Sequence, residues 1–246
     1  MHAPSPFIDA AAVEAWDAWF RWREHDRLHD RAIESTWRRA AAAVAGRADG
    51  GLADALIDAY ASWRLLLDER ILATAGTPSA DWPRTELAAV LNAAAFVRWR
   101  LSPTAQFDRD RFVETAALAV RALDAAGAGA TPLRIGVVGL ADAIALLGLR
   151  YRAPLAREQA REIVRALAEG CLRGSVQLAR ERGARFDADE DTLRSVSRRG
   201  LATELIRDVR RCGLRHRRLT AIAPQPRLAL LANNVADALD PLLGEN

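Results

Sequence analysis

Arg134-Ile-Gly-Val-Val-Gly-Leu-Ala-Asp-Ala-Ile-Ala-Leu-Leu-Gly-Leu-Arg-Tyr151 is the stretch on which the reading of this chain turns. Between Arg134 and Arg150 the sole charge is Asp142, so a helix drawn here would be apolar on every face and would have to be buried. It is too short and too interrupted to span a bilayer, which takes about 20 apolar residues. Gly136 and Gly139 would let a neighbouring backbone approach closely, and Gly148 stands where a helix commonly ends in a left-handed residue. The next segment has Pro154 in its first turn, apolar Ala156, Ala160, Ile163 and Leu167 at helical spacing, and Gly183 as its stop. Its other faces carry Arg157, Glu158, Arg161, Glu162, Arg165, Glu169 and Arg173. The expected centre is therefore a buried helix over Arg134–Gly148, covered by an amphipathic helix over Pro154–Gly183.

Upstream, Phe7 to Glu24 has Val13, Trp16 and Phe20 at helical spacing, widened by Trp19 and Trp22. Such a row of Trp can stack a ligand but more often packs against the rest of a domain. His25 and His29 are four apart, and a metal pair would need further ligands when the remaining histidines are His2 and His216. A solvated polar corner is the plainer reading. Helices are expected over Ile33–Ala45, with Trp37 inward and Gly46 as stop, and over Leu52–Leu72. Ala75 to Pro83 is turn-rich, and Glu86 to Arg100 reads equally as helix or strand. Phe112 to Ala125 is amphipathic and helical, and Ala126 to Pro132 is a connector. Beyond Gly183, the acidic run Asp187 to Asp191 lacks the spacing of a calcium loop. Short helices follow at Thr192–Val196 and Leu201–Arg211, then a short buried strand at Leu219–Ala223 before Pro224 and Pro226, and a last helix over Asn234–Leu239.

Half of the 246 residues are hydrophobic (50%) and 27% are charged, the composition of a globular protein. There is no lysine, so every one of the 35 Lys-plus-Arg positions is arginine. That excludes a lysine-bearing phosphate loop and any lysine Schiff base. The net charge of +3 is small, and only Arg207 to Arg218 is locally basic, so a nucleic-acid partner is not demanded. Cys171 and Cys212 have neither CxxC nor histidine spacing, which indicates neither a disulfide framework nor a zinc site. With no signal-like start and no membrane span, the cytoplasm is the expected location.

Several separated, collinear pieces carry a family resemblance. Arg134 to Asp142, Leu146-Leu-Gly-Leu-Arg-Tyr151 and Leu178-Ala-Arg-Glu-Arg-Gly183 form the first group, and Gly213-Leu-Arg-His216 with Leu219-Thr-Ala-Ile-Ala-Pro224 through Asp240-Pro241 the second. Leu91 to Val97, Phe107 to Phe112 and Val120-Arg-Ala-Leu-Asp124 precede them in the same order. Together they resemble the catalytic subunit of ribonucleotide reductase, closest in flavour to the class II, adenosylcobalamin-dependent type. Trp16 to Ala45 resembles the helical cap that precedes the barrel there. The resemblance implies a mainly α fold with a few short strands, a shortened remnant of the reductase α/β barrel behind a cap-like region. The division expected is 1–72 for the cap and 73–246 for the remnant.

The resemblance also implies a thiyl-forming cysteine, a reducing cysteine pair, a carboxylate base and a phosphate cradle. The place for the radical cysteine, Ala73 to Glu86, holds no cysteine, and no other side chain supplies that sulfur chemistry. Catalytic residues are thus expected to be none, as are metal ligands. Cofactors are expected to be none, with adenosylcobalamin bound only if the family activity survives. Where the family has a Gly- and Thr-rich phosphate turn, this chain keeps Ala223-Pro224 but continues Gln225-Pro226-Arg227. Pro224, Gln225 and Arg227 are the candidate remnant, with Pro226 removing an N–H donor. Cys212, between Arg211 and Arg215, is a candidate redox thiol because nearby cations favour the thiolate; the alternative is a structural role. The function expected is that of a reductase-like protein that has lost radical catalysis and acts as a binding or interaction protein, its partner being protein, either a second copy or a reductase fragment. A component of a split reductase completed by a second chain is the alternative, and a basic nucleic-acid binder through Arg207 to Arg218 the third.

Overall fold

The computed structural model describes residues 6–25, 27–46, 49–82, 86–127, 132–198 and 200–242. The tail at residues 1–5 and most of the connector over Ala126 to Pro132 lie outside them. In chain order the elements are α1 (Ala10–Ala15), running into a π-helical turn at Trp16–Phe20, a hairpin of β1 (Arg23–Glu24) and β2 (Arg27–Leu28), and α2 (Ile33–Ala45). Next come α3 (Gly50–Ala61), β3 (Leu65–Leu67), α4 (Glu69–Thr74), β4 (Ala88–Asn92) with a 3-10 turn at Ala93–Phe96, β5 (Val97–Arg98) and β6 (Gln106–Phe107). The rest is α5 (Arg109–Gly127), β7 (Arg134–Val138), α6 (Leu140–Leu146), α7 (Pro154–Arg182), α8 (Glu190–Arg198), α9 (Thr203–Cys212) and α10 (Pro226–Leu231). The protein is mainly helical with a few short strands and, among the described residues, no closed barrel.

The expected helix over Arg134–Gly148 is a strand followed by a short helix. β7 runs parallel to β4, pairing Ala88 with Arg134 through Asn92 with Val138. A parallel strand covered on both faces reads as an unbroken apolar run, which hydrophobic periodicity cannot tell from a buried helix. Ile135, Val137 and Val138 are β-branched and fully or nearly fully buried, which favours the strand. Gly136 is needed there, since a Cβ would sit 2.8 Å from the Ala221 carbonyl oxygen. Gly139 adopts a left-handed conformation (φ 66°) and turns the chain into α6. The position would suit no other residue well, because a Cβ would lie 2.4 Å from Asn92 Oδ1.

The helix expected over Leu52–Leu72 also breaks. α3 stops at Ala61, Trp63 takes a positive φ of 56°, and Leu65–Leu67 forms β3, antiparallel to β4. Its three leucines are buried, so packing overrides their preference for helix. The stretch at Glu86 to Arg100 resolves as strand β4, and the helix expected at Asn234–Leu239 is instead turn structure, preceded by α10 with Pro226 in its first turn. The tryptophan row divides as well: Trp16 and Phe20 are buried, while Val13 and Trp19 are about 40% exposed. The π-helical turn shifts these side chains relative to an ideal α-helix. His25 and His29 do not share a helix face. His25 lies in the β1–β2 hairpin turn, and His29 stacks on Trp22 at 3.9 Å and meets Glu24 at 3.2 Å.

α2, α5, α7 and α9 follow their expected spans closely, because each has a continuous apolar stripe and a glycine stop or proline start. α5 and α7 make the most extensive helix–helix contact. Gly170 and Gly174 of α7 lie against Val113, Ala116 and Ala117 of α5, so closely that no Cβ would fit. The sheet order is β3-β4-β7, and Leu219–Ala221 adds itself beyond β7. The Ile135 N–H donates to the Leu219 carbonyl at 3.0 Å, and the Ala221 N–H donates to the Ile135 carbonyl at 3.1 Å. β4, β7 and this segment therefore run parallel, the first pair linked by α5 and the second by α6 through α9. One hydrophobic core runs from Trp16 to Ala232 and includes β3, β4 and β7.

Candidate functional site: the cavity at the carboxyl end of the parallel strands

In open α/β sheets, ligands bind beyond the carboxyl ends of the strands. Here β4 ends at Asn92 and β7 at Val138, and a cavity of about 440 Å³ opens beside them. Asn92, Arg100, Asp142 and Asn233 supply its charged and amide groups, with Ser62, Trp63 and Leu146 among the other walls. Asn92 is buried and uses its Oδ1 to accept the Ala94 N–H at 3.1 Å, which fixes the start of the 3-10 turn. Asp142, in the first turn of α6, accepts the Ala236 N–H at 2.8 Å. The Gly139 N–H donates to the Ala236 carbonyl at 2.7 Å, so the segment around Ala236 is tied to the end of β7 from both sides.

Arg100 is the cavity's cation. Its hydrogen bonds go to the Val97 and Ala94 carbonyls at 3.3 and 3.4 Å, and it makes no ion pair among the described residues. Backbone strain gathers at the same place. Trp63 and Asn233 in the wall, and Trp99 and Leu101 on either side of Arg100, all have positive φ. Such conformations cost on the order of 1–3 kcal/mol for a bulky residue and persist where the surroundings over-determine them. The walls offer a guanidinium, a carboxylate and amides for orienting a small polar molecule, but the described residues of the lining contain no thiol and no imidazole.

The residues expected to form a phosphate-loop remnant lie at the start of α10, and their donors are committed. The Gln225 N–H donates to both carboxylate oxygens of Asp237, at 2.8 and 3.0 Å. Pro226 has no N–H to offer, and Pro224 is exposed. Arg227 pairs with Glu69 at 3.6 Å and lies over the Trp19 ring at 5.1 Å. Both contacts are at the surface, so Arg227→Ala is expected to lower stability by only about 1 kcal/mol, measurable as a shift in the urea midpoint. A loss of several kcal/mol would mean that Arg227 holds more than Glu69 and Trp19.

Neither cysteine lines the cavity. Cys171 is fully buried on α7. Cys212 ends α9 and is half-buried, with Arg180 Nε donating to its Sγ at 3.3 Å. The Arg180 guanidinium, helped by Arg211, draws this thiol below its ordinary value. The basic run Arg207 to Arg218 is partly neutralised: Arg211 pairs with Asp208 at 2.8 Å, Arg217 with Asp189 at 3.7 Å and Arg215 with Asp124 at 3.1 Å.

That last pair belongs to a buried network absent from the sequence-based reading. Asp124, on α5, accepts from Arg182 at 2.7 Å, meets Arg215, and faces His216 Nε2 at 2.9 Å. Ser175 of α7 closes the group: its Oγ donates to the His216 carbonyl and accepts the His216 N–H, both at 2.9 Å. Ser175 thus meets the backbone of His216, not its ring, and the three do not form a nucleophilic relay. Burial would push the Asp124 carboxyl up, but hydrogen bonds and charge from His216 and Arg215 outweigh it and hold the group well below the usual carboxylate range. The network joins α5, α7 and the loop after α9. A signal for it was present, since Val120 to Asp124 and Gly213 to His216 are two of the pieces that carry the family resemblance.

The sequence model described as ribonucleotide reductase, barrel domain, matches residues 86–245, well over half of the chain. The chain belongs to this family. The match begins just before β4 and takes in the parallel strands, α5 to α10 and most of the cavity wall. Comparison with individual curated proteins gives no significant match. Two features of this reductase-barrel protein do not fit the groups its family implies. In the turn that the resemblance matches to the phosphate cradle, the Gln225 N–H is already taken by the Asp237 carboxylate. Neither of the two cysteines lines the cavity at the strand ends. The described residues contain no cluster of three or more His, Cys, Asp or Glu suited to a metal, and no helix among them is long and apolar enough to cross a membrane.

Proposed function

We propose that this reductase-barrel protein is a degenerate relative of the class II enzymes that no longer carries out radical reduction and works by binding a protein partner. The observation that carries the reading is the Asp237 carboxylate on the Gln225 amide. An internal anion occupies the donor that a phosphate would use, and a second anion would be repelled there. The placement of both cysteines away from the strand ends supports the same conclusion, since the reaction needs sulfur within reach of the sugar. Adenosylcobalamin and nucleotide are accordingly not expected ligands, and the expected partner is protein.

The test is direct. Purified protein given adenosylcobalamin, a dithiol and each ribonucleoside diphosphate or triphosphate in turn should form no deoxyribonucleotide. Calorimetry with ADP, CDP and ATP at low salt should show no binding. Turnover that survives replacement of both Cys171 and Cys212 by serine would overturn the loss of catalysis. Micromolar binding of any of the nucleotides would overturn the loss of the phosphate cradle.

A further inference from the structure

A second hollow, separate from the cavity, lies between α7 and the outer edge of the sheet. It measures about 570 Å³ and is walled by Leu140, Val164, Leu167 and Ala168 on one side and by Thr220 and Ile222 on the other. Ile222 is 41% exposed and Leu239, at the rim, 46%. Leu219 and Ala221 give their carbonyl and N–H to Ile135, so the N–H and carbonyl of Thr220 point away from β7. Among the described residues, neither Thr220 nor Ile222 makes a backbone hydrogen bond. Arg161 lines the same hollow and has no carboxylate partner among the described residues, whereas Arg165 one turn on is paired with Glu162 at 2.7 Å.

An open strand edge, an apolar floor beside it and a free guanidinium at the rim are complementary to one kind of occupant. The edge requires an extended backbone, the floor requires apolar side chains on alternate residues, and Arg161 requires an acid among them. We propose that residues 219–222 accept an extended segment of another protein as an added strand, its apolar side chains entering the hollow and a carboxylate meeting Arg161. This rests on the binding role proposed above and names the chemistry of the partner. A second copy paired edge to edge about a two-fold axis would present the same Arg161 again in place of a carboxylate.

The probe is a fluorescein-labelled peptide of about eight residues in which every second residue is serine and the others, which share one face, are three valines and a glutamate; it is compared by anisotropy with the same peptide carrying lysine in place of that glutamate, using the full chain at low salt. The glutamate peptide should bind at least about tenfold more tightly. Thr220→Pro removes only the outward N–H and leaves both Ile135 hydrogen bonds in place, so it should weaken that binding about tenfold with the melting temperature little changed. Arg161→Glu, at the rim, should reverse the preference between the peptides. No binding, equal binding of the two peptides, or indifference to both substitutions would overturn the proposal. So would a dimer of the chain that Thr220→Pro dissociates, because the occupant would then be a second copy. Each of these results leaves the turnover and nucleotide tests unaffected, so failure at the edge is distinguishable from failure of the non-catalytic reading.

Discussion

Asp124→Ala is expected to lower the stability of this protein by about 3–5 kcal/mol, the usual cost of leaving buried charges without their partner. The Arg215 guanidinium and the His216 ring would lose their carboxylate in a buried site, while Arg182, whose side chain is 37% exposed, would lose it within reach of water. The side chains of Asp124 and His216 are each about 1% exposed, so solvent offers His216 little compensation. The pH dependence has a definite sign. The folded-state value for Asp124 lies below its unfolded value, so its contribution is fully present above the ordinary carboxylate range and is lost as pH falls through the folded value. Urea titrations of parent and variant should therefore differ most near neutrality and converge only in strong acid. A difference below about 1 kcal/mol at neutral pH would show that the network is not the junction of α5, α7 and the loop after α9.

Gly170→Val is the second large effect, expected at about 3 kcal/mol or more. A Cβ on Gly170 would stand 2.3 Å from the Val113 carbonyl oxygen and 2.6 Å from the Ala116 Cβ. The first is backbone and cannot rotate aside, so α5 and α7 would have to separate along a contact that Gly174 repeats one turn on. Even Gly170→Ala should destabilise, although alanine is favoured over glycine in a helix by about 1 kcal/mol. Gly51→Ala is the control, because its nearest neighbour is Asp49 Oδ1 at 3.8 Å. If calorimetry finds Gly170→Ala as harmless as Gly51→Ala, the two helices are not as closely packed as described.

Helices with one exposed face were legible in the sequence, and the buried elements were not. α2, α5 and α7 show charged residues on one side and apolar ones on the other, which fixes a period of 3.6. β3 and β7 are buried on both faces, so Leu65–Leu67 and Ile135–Val138 carry no alternation and were absorbed into neighbouring helical patterns. The turns that separate them depend on positive φ at Trp63 and Gly139; the glycine was visible as a point of close approach, but a tryptophan in that conformation has no sequence signature. For the site, Asp142 stood out as the sole charge in an apolar stretch, but its meeting with Asn92 at one cavity depends on β4 and β7 being parallel neighbours. Asp237 was unreadable as the partner of Gln225, because the two stand twelve positions apart with a short helix between them.

The contacts that close the far wall of the cavity bear on the order in which the protein assembles. The Ile8 N–H donates to Asn233 Oδ1 across 225 positions of the chain, and Asn234 reaches back to Asp9 at 3.3 Å. Closing so long a loop before the sheet and helices exist carries an entropy cost that grows with loop length, with little apolar burial at Ile8 to offset it, since that residue is 88% exposed. The latch can form cheaply only after the intervening chain has folded and brought Asn233 into place. It should also be the first contact to release, through local opening far below the free energy of global unfolding. This wall of the cavity is therefore held by contacts between the two ends of the described chain, whereas the opposite wall belongs to the strand ends.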